Sequence, residues 1–314
     1  WRTYFKGFLE RRPTIWSAYR RDLQAVWADA DRDGSLAADL KAAEDGRTGI
    51  DAFDHWANEL TDTGYLHNHA RMWFASIWIF TLRLPWQAGA DFFLRHLLDG
   101  DPASNTLSWR WVGGLHTKGR TYLARADNIA RYTEGRFAPC RLAPFAEPLS
   151  EEDEHPLLPV PRPAPPAVPA GDALTLIHED DCAPETLGLA HRPLATLLCV
   201  DGRSERQVAT PVAEFAAGAV ADAASRNGAP QDPSSVDMDD EAILNAAQEA
   251  RVGTIVSAYA TVGPVADRLA LLSQKAQRAG LALVSCLRPE DANAWVYADR
   301  GFFKMKKAIP KLMA

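Results

Sequence analysis

Two stretches in the first 111 residues concentrate side chains that could bind a cofactor or a nucleobase. The first is Thr63–Met72, which contains histidine, asparagine and arginine, and the second is Asp99–Asn105, which is followed by Trp109 and Trp111. An asparagine can donate and accept hydrogen bonds, a buried carboxylate needs a cationic partner, and indole rings offer flat apolar surfaces. Ordinary explanations stay open, because a DG sequence often marks a turn and an asparagine after Pro102 can form an Asx turn.

The elements that must position these side chains are predicted to be helices. Nine of the ten tryptophans lie before residue 112, so the two halves of the chain differ in composition. Apolar residues recur at helical spacing in the first half. The predicted helices are Trp1–Leu9, Trp16–Trp27, Ile50–Leu60, His67–Leu84, Gly89–Leu98, Ser108–Gly113 and Asn128–Thr133.

A proline-rich segment and a different pattern follow. Residues 143–170 include seven prolines between Pro156 and Pro169, a composition that favours an extended linker. After Gly171, short apolar runs alternate with helical segments, which predicts a parallel sheet with crossover helices. The predicted strands are Ala173–His178, Leu194–Val200, Thr254–Tyr259 and Leu281–Leu287, and the predicted helices are Pro211–Ser225, Asp240–Ala250 and Val265–Ala279.

The predicted fold class is therefore α plus α/β. We expect an all-helical domain over residues 1–142, a linker over 143–170 and a small α/β domain over 171–314. Because the chain begins at Trp1 in the middle of a helical pattern, we also expect upstream residues of the first domain to be missing from this sequence.

Bulk properties exclude some classes of function. The net charge of −7 argues against non-specific coating of nucleic acid, which is driven by phosphate neutralisation, although a local basic cleft stays possible. The four cysteines are widely spaced and form no CxxC or Cys/His pattern, so we expect no metal site and free thiols in a reducing cytoplasm. We find no signal peptide and no apolar run of membrane-spanning length.

The first half resembles the FAD-binding domain of the photolyase/cryptochrome family. The segment Thr63-Gly-Tyr-Leu-His-Asn-His-Ala-Arg-Met72 is similar to the family's TGW/Y-x-HNR-x-RM helix, and Asp99-Gly-Asp-Pro-Ala-Ser-Asn105 with Ser108-Trp-Arg-Trp111 is similar to its DGD-x-A-x-N and WxW elements. Trp1-Arg-Thr-Tyr-Phe5 resembles a third element, WREFY, and Gly46-Arg-Thr-Gly49 with Asp54 a fourth. The resemblance covers about residues 1–139 and implies an all-helical, photolyase-type fold for this half.

The resemblance also implies a set of FAD-binding residues. The matching positions are Arg2, Asn68, Arg71, Asp99, Gly100, Asp101 and Asn105. In the family, the position of Asn105 faces the flavin N5 atom, whose protonation changes with redox state. The position of Arg71 pairs with that of Asp99, and the arginine matching Arg2 reaches the cofactor phosphates.

Further matches imply electron transfer and lesion binding. Trp109, Trp86 and Trp27 match a chain of tryptophans that carries an electron to the excited flavin, with Trp16 as an alternative outer end. For Trp27, ordinary aromatic packing explains the residue equally well. The residues that match the pocket for a flipped base are Trp1, Asn68, His69, Met72 and Trp111.

Departures from the family pattern keep several functions open. His69 stands where the family has arginine, and Thr3 where it has glutamate. The α/β region loosely resembles the family's antenna domain, but the antenna chromophore is unknown, and an unrelated α/β module is nearly as good an explanation. We expect a DNA photolyase that splits pyrimidine dimers in damaged DNA. The alternatives are a cryptochrome-like photoreceptor with a signalling partner and a degenerate paralogue that no longer holds FAD.

Overall fold

The computed structural model describes residues 1–161, 172–189, 193–230 and 232–313, and the chain divides into two compact units. A helical unit comprises Thr14–His155. An α/β unit comprises Trp1–Pro13 together with Pro156–Ala314. Residues 162–170 of the predicted linker lie outside the described residues. The domain boundaries drawn from the sequence stay a prediction.

The helical unit contains seven α-helices among its residues. They are α2 (Thr14–Arg32), α3 (Gly34–Glu44), α4 (Asp51–Thr63), α5 (Asn68–Ser76), α6 (Trp86–His96), α7 (Pro102–Gly113) and α8 (Ala126–Tyr132), and α5 continues into one π-helical segment, Ile77–Thr81. Helix α1 (Arg2–Glu10) belongs to the α/β unit. Helix α3 was not predicted, because its sequence is rich in alanine and its apolar residues show little periodicity.

Local signals fix the ends of the helices that carry the candidate site. Helix α4 ends at Gly64, whose φ of 68° places it in the left-handed region that favours glycine. Helix α5 begins after His67, whose ring nitrogen accepts from the His69 N–H at 3.3 Å. Helix α7 begins at Pro102, directly after the N-cap Asp101. These ends bring the Thr63–Met72 stretch and the start of α7 into one unit.

Aromatic side chains form much of the core of the helical unit. Phe74 stacks on Phe53, with ring centroids 4.2 Å apart, and packs in an edge contact with Trp109 at 6.4 Å. Trp78 packs against Phe53, Phe74 and Phe92. The tryptophans crowded in this half of the sequence are therefore mostly interior residues.

The α/β unit is built on one parallel sheet. Its strands β1 (Leu174–His178), β2 (Leu194–Leu197), β3 (Thr254–Ala258) and β4 (Ala282–Cys286) are arranged in the order β2-β1-β3-β4, and all neighbouring pairs are parallel. Its helices after β1 are α9 (Thr210–Arg226), α10 (Asp240–Glu249), α11 (Pro264–Arg278), α12 (Pro289–Trp295) and α13 (Phe302–Leu312). All four strands lie where the sequence predicted them.

Helices cover both faces of this sheet. Helices α10 and α11 pack on the face that contains Leu174 and Leu176, while α9 packs on the face that contains Ile177. Helix α1 packs against α12, where Gly7 faces Trp295 so closely that a Cβ would lie 2.5 Å from the indole. The predicted α plus α/β fold class is confirmed. Among the described helices, none has the length and apolar character needed to cross a membrane.

Candidate functional site

An ion pair joins the two stretches that the sequence singled out. The guanidinium of Arg71 on α5 lies 3.0 Å from a carboxylate oxygen of Asp99, in the loop between α6 and α7. The Nε of Arg71 also donates to the Leu66 carbonyl at 2.9 Å, which fixes the direction of its side chain. Both charged groups are partly exposed, so they can contact a ligand as well as each other. Gly100 follows in the same loop and donates its N–H to the Leu97 carbonyl at 3.0 Å.

The first turn of α7 carries the next two predicted residues. Asp101 caps the helix by accepting from the Ser104 N–H at 2.8 Å and from the Ser104 hydroxyl. Asn105 is buried, and its Nδ2 donates to the Ala90 carbonyl of α6 at 2.8 Å. This bond orients the amide so that its oxygen remains as a hydrogen-bond acceptor.

Trp109 lies one turn beyond Asn105, on the buried side of α7. Its ring makes edge contacts with Phe93 at 5.2 Å and with Trp78 at 6.1 Å. Gly89 permits this packing, because a Cβ at that position would lie 2.3 Å from Trp109 and 2.9 Å from Trp78. The Nε1 of Trp109 is buried and has no hydrogen-bond partner within the part of the chain that the structure describes.

The other two tryptophans of the predicted electron route lie on different helices. Trp86 begins α6 and contacts Tyr19 of α2 at 5.6 Å, and Tyr19 in turn contacts Trp16 at 5.2 Å. Trp27 is buried on α2, eight residues beyond Tyr19. Sequence reasoning missed Tyr19 and Trp78 as members of these contacts. The spacing of Trp16 and Tyr19, three residues apart on a predicted helix, was the signal for the first.

The predicted lesion-pocket residues of the helical unit lie on α5 and α7. Asn68 lies on the first turn of α5, where its amide nitrogen is 3.9 Å from the sulfur of Met72. Trp111 is 37% exposed and stacks on Tyr122 at 5.7 Å. His69 lies between Trp73 and Tyr132, with centroid distances of 5.2 and 5.1 Å.

Trp1 and Arg2 lie in the α/β unit with the rest of α1. The Trp1 ring stacks on Phe302 of α13, with centroids 3.5 Å apart, and remains 66% exposed. Arg2 is exposed on the first turn of α1. The Thr63–Met72 and Asp99–Asn105 residues are thus assembled within one unit, while these two predicted residues belong to the other.

A covering segment that sequence reasoning assigned to the linker lies on the helical unit. We call residues 143–155 the acidic strap. Glu151 of the strap makes two hydrogen bonds with the buried guanidinium of Arg110, at 2.6 and 2.7 Å, and Asp153 pairs with Arg21 at 2.6 Å. The Leu149 N–H donates to the Gly113 carbonyl at 2.9 Å. The strap, α2, α6 and α7 enclose a cavity of 440 Å³ that Trp86 and Tyr19 help to line.

Burial and charge shift the acidity of two groups near this cavity. Burial raises the pKa of the Tyr19 hydroxyl well above its usual value, so this group stays a neutral phenol. For Glu151, burial opposes ionisation, but the hydrogen bonds and charge of Arg110 outweigh it and lower the pKa. No group of metal-binding side chains occurs among the described residues, and all four cysteines are free.

Comparisons with known proteins match the first part of the chain. A sequence model of the FAD-binding domain of DNA photolyase matches residues 1–135. The deoxyribodipyrimidine photo-lyase of Streptomyces griseus is 38% identical over 121 residues, which are 38% of this chain and 25% of that protein. The photo-lyase of Escherichia coli is 31% identical over 122 residues, which are 39% of this chain and 25% of that protein. Cryptochrome-1 of Arabidopsis thaliana is 38% identical over 89 residues, 28% of this chain and 13% of that protein.

Residues 1–135 are therefore similar to the FAD-binding domain of the photolyase/cryptochrome family. The chain spans about a quarter of the length of the photo-lyases that it matches. No solved structure matches the chain. The matched region includes α1, which lies in the α/β unit, and most of the helical unit.

Proposed function

We propose that this protein is a blue-light flavoprotein that binds FAD and repairs pyrimidine dimers in DNA. The observation that carries the proposal is the ion pair between Arg71 and Asp99, which joins α5 to the loop before α7. From that loop, α7 presents Asn105 and Trp109 in successive turns. The Thr63–Met72 and Asp99–Asn105 motifs are thus joined within the helical unit.

The donor and acceptor set of this constellation fits a flavin. The free oxygen of Asn105 can accept a hydrogen bond from a ring N–H, while the partly exposed Arg71 can donate to a carbonyl or phosphate oxygen. When bound, FAD would absorb blue light and supply the electron that opens the dimer. The resemblance assigns further cofactor contacts to Asn68, Asp99, Gly100 and Asp101, and a contact with the cofactor phosphates to Arg2.

The residues of this chain have separable tasks in such a reaction. Asn105 would hold a proton at the nitrogen that it faces, and the Ala90 carbonyl keeps its amide in that orientation. Trp109 and Trp86 would return electrons from the surface to the cofactor. Met72 and Trp111 would replace the stacking that a dimer loses when it leaves the duplex.

A photoreceptor is the second candidate, and the environment of His69 favours it. The family has arginine at this position, whereas the ring of His69 is packed between Trp73 and Tyr132. A side chain held in this way offers less to a phosphate or a lesion than a free guanidinium would. The photoreceptor would use the same cofactor site and would bind a signalling partner in place of damaged DNA.

The first experiment measures flavin binding by the full chain. We expect purified protein to carry flavin absorbance or to take up FAD when it is supplied. Arg71→Met should weaken uptake, whereas Arg32→Met, which removes an exposed cation on α2, should leave it unchanged. Trp109→Phe should keep FAD bound and slow its photoreduction at least about tenfold. Absence of uptake would leave the degenerate paralogue as the conclusion.

The second experiment separates repair from signalling. Damaged DNA should bind more tightly than undamaged DNA, and both affinities should fall with added salt as phosphate contacts are screened. Trp111→Ala should remove most of the preference for damage without changing the salt dependence, since it deletes stacking and no charge. Phe145→Ala, another exposed aromatic of the same unit, is the matched control. Equal affinity for both DNAs and no light-dependent repair would rule out the photolyase and favour the photoreceptor.

A further inference from the structure

We infer that the cavity beneath the acidic strap is a binding site for a small aliphatic diamine or polyamine. The cavity lies within the helical unit, between the strap, α2, α6 and α7, and its volume is 440 Å³. Sites for small molecules commonly measure about 300–1,000 Å³, so a short ligand fits this space. The proposed flavin function assigns no role to the cavity, and its ligand can be tested in protein that holds no flavin.

The wall of the cavity carries more negative than positive charge. Its charged side chains are two arginines and four carboxylates, namely Arg21, Arg110, Asp22, Glu151, Glu152 and Asp153. Two positive and four negative groups give the wall a formal net charge of −2. A ligand with two ammonium groups matches this charge.

Both arginines of the wall are already occupied by carboxylates. Arg110 donates two hydrogen bonds to Glu151, and the guanidinium of Arg21 lies 2.6 Å from an oxygen of Asp22 and 2.6 Å from an oxygen of Asp153. An anionic ligand would have to displace one of these carboxylates. Glu152 makes no ion pair within the described part of the chain, so its carboxylate remains for a cation that enters the cavity.

Aromatic and aliphatic side chains complete the wall. The rings of Trp86 and Tyr19 line the cavity with centroids 5.6 Å apart, and Ala18 and Leu115 line it as well. Methylene groups can pack against these side chains, and an ammonium group is attracted to the face of an indole ring. Tyr19 is 1% exposed, and its hydroxyl has no hydrogen-bond partner among the described residues. The oxygen of this phenol can accept a hydrogen bond from an N–H group.

The chemistry of the wall favours an organic cation over a metal ion. Among the described residues, no group of three or more histidine, cysteine, aspartate or glutamate side chains could hold a metal. Three of the four carboxylates in the wall accept hydrogen bonds from arginine. An ammonium group brings three donors of its own and needs no closed shell of ligands. A chain with charged ends and an apolar middle therefore fits carboxylates that alternate with aromatic rings.

The test measures binding of hexamethylenediamine to the full chain without flavin, by isothermal titration calorimetry. The uncharged control is hexamethylene glycol, which has hydroxyls in place of both amines and should bind at least about tenfold more weakly. Added salt should weaken binding of the diamine, because it screens the charges. Inorganic phosphate should not compete with the diamine. Absence of diamine binding, equal binding of the glycol or competition by phosphate would each overturn the proposal.

Two neighbouring strap variants test whether the cavity holds the diamine. Glu152→Gln removes the carboxylate that no arginine holds and should weaken binding about fivefold, as expected for an ion pair with an exposed carboxylate. Glu154→Gln removes another exposed carboxylate of the strap, one that does not line the cavity, and should change the affinity less than about twofold. Equal losses in the two variants would show diffuse attraction to an acidic surface and would overturn the site.

Proteolysis tests whether the diamine lies beneath the strap. A ligand that binds only while the strap is closed should slow cleavage within residues 143–155 by about tenfold when its concentration is ten times its Kd. Hexamethylene glycol at the same concentration should not slow it. Protection of Glu152→Gln should require about fivefold more diamine than protection of the wild type. Calorimetric binding without protection of the strap would place the diamine elsewhere on the chain and would overturn the proposal.

Discussion

Two buried carboxylate sites, one in the helical unit and one in the α/β unit, have opposite environments. In the helical unit, the fully buried Asp91 and the partly buried Glu44 both contact Arg95, at 2.9 and 2.6 Å. In the α/β unit, Glu179 at the carboxyl end of β1 accepts one hydrogen bond, from the Cys199 N–H, and its second oxygen is buried without a partner among the described residues. The first arrangement places a guanidinium beside both carboxylates, whereas in the second, burial raises the pKa of Glu179 and makes its ionisation costly.

The cores of the two units also differ in the residue types that form them. The helical unit is packed with aromatic rings in contact, whereas the main core of the α/β unit consists of leucine, isoleucine, valine and alanine side chains. Aromatic rows can carry electrons and aliphatic cores cannot. The difference favours the helical unit as the place of the photochemistry in the proposed function.

The largest expected effect comes from removing the cation that pairs with Asp91 and Glu44 in the helical unit. Arg95→Ala leaves Asp91 and Glu44 buried without their cation, so the free energy of unfolding should fall by about 3–5 kcal/mol. The matched control is Arg226→Ala in the α/β unit, where an exposed pair with Glu185 and Asp222 should contribute little to the free energy of unfolding. Denaturant titration followed by far-UV circular dichroism measures both. Equal losses of unfolding free energy in Arg95→Ala and Arg226→Ala would show that the buried cluster contributes no more than the exposed pair.

Removing the carboxylate of Glu179 in the α/β unit should raise the free energy of unfolding, whereas Arg95→Ala should lower it. Burial raises the pKa of Glu179 to about 7 from 4.5, so folding becomes less favourable as pH rises from about 4.5 to 7, and the cost persists above pH 7. Glu179→Gln should therefore raise the free energy of unfolding by ~3 kcal/mol at pH 8 and by little at pH 4. Glu214→Gln, on the exposed surface of α9, should change neither value. A pH-independent effect of Glu179→Gln would show that its charge is not the cause.

The contrast was only partly visible in the sequence. Periodicity located the four strands and most helices, and the resemblance to the photolyase/cryptochrome family implied that Arg71 and Asp99 pair. The partner of Arg110 was invisible, because Glu151 lies 41 residues away in a segment read as a linker. The charges around Glu179 were equally hidden, since a short acidic run after a strand looks like an ordinary solvent-exposed turn. Long-range pairing of this kind depends on tertiary packing and leaves no local pattern.

A smaller effect should follow from filling the space that Gly89 leaves in the aromatic core. Gly89→Ala places a Cβ against Trp109 and Trp78, and such overpacking costs about 1–3 kcal/mol. Gly218→Ala on α9 meets no atom within 4 Å and should stabilise by roughly 0.5–1 kcal/mol, because alanine favours a helix. Denaturant unfolding with tryptophan fluorescence reports mainly the helical unit, which holds eight of the ten tryptophans. A gain in stability from Gly89→Ala would mean that the aromatic core is loosely packed.

The smallest expected effect concerns how the acidic strap is held. Arg110 is buried and donates two hydrogen bonds to Glu151, whereas the ion pair between Asp153 and Arg21 is exposed. Exposed pairs contribute little, so the buried pair should decide how often the strap opens. Because the strap lies outside the helices, its opening should be visible as proteolysis within residues 143–155.

Glu151→Gln should raise the cleavage rate of the strap about tenfold, which corresponds to ~1.4 kcal/mol of local opening, while Asp153→Asn should change it less than about twofold. The pairing with Arg110 lowers the pKa of Glu151, so its contribution is complete above the usual carboxyl range and is lost as pH falls through the lowered value. An acid protease should therefore cut the wild-type strap faster as pH falls below the usual carboxyl range, and the Glu151→Gln strap with little dependence on pH. This dependence is opposite in sign to that of Glu179. If the two variants are cleaved equally fast at neutral pH, the buried pair between Arg110 and Glu151 is not what holds the strap.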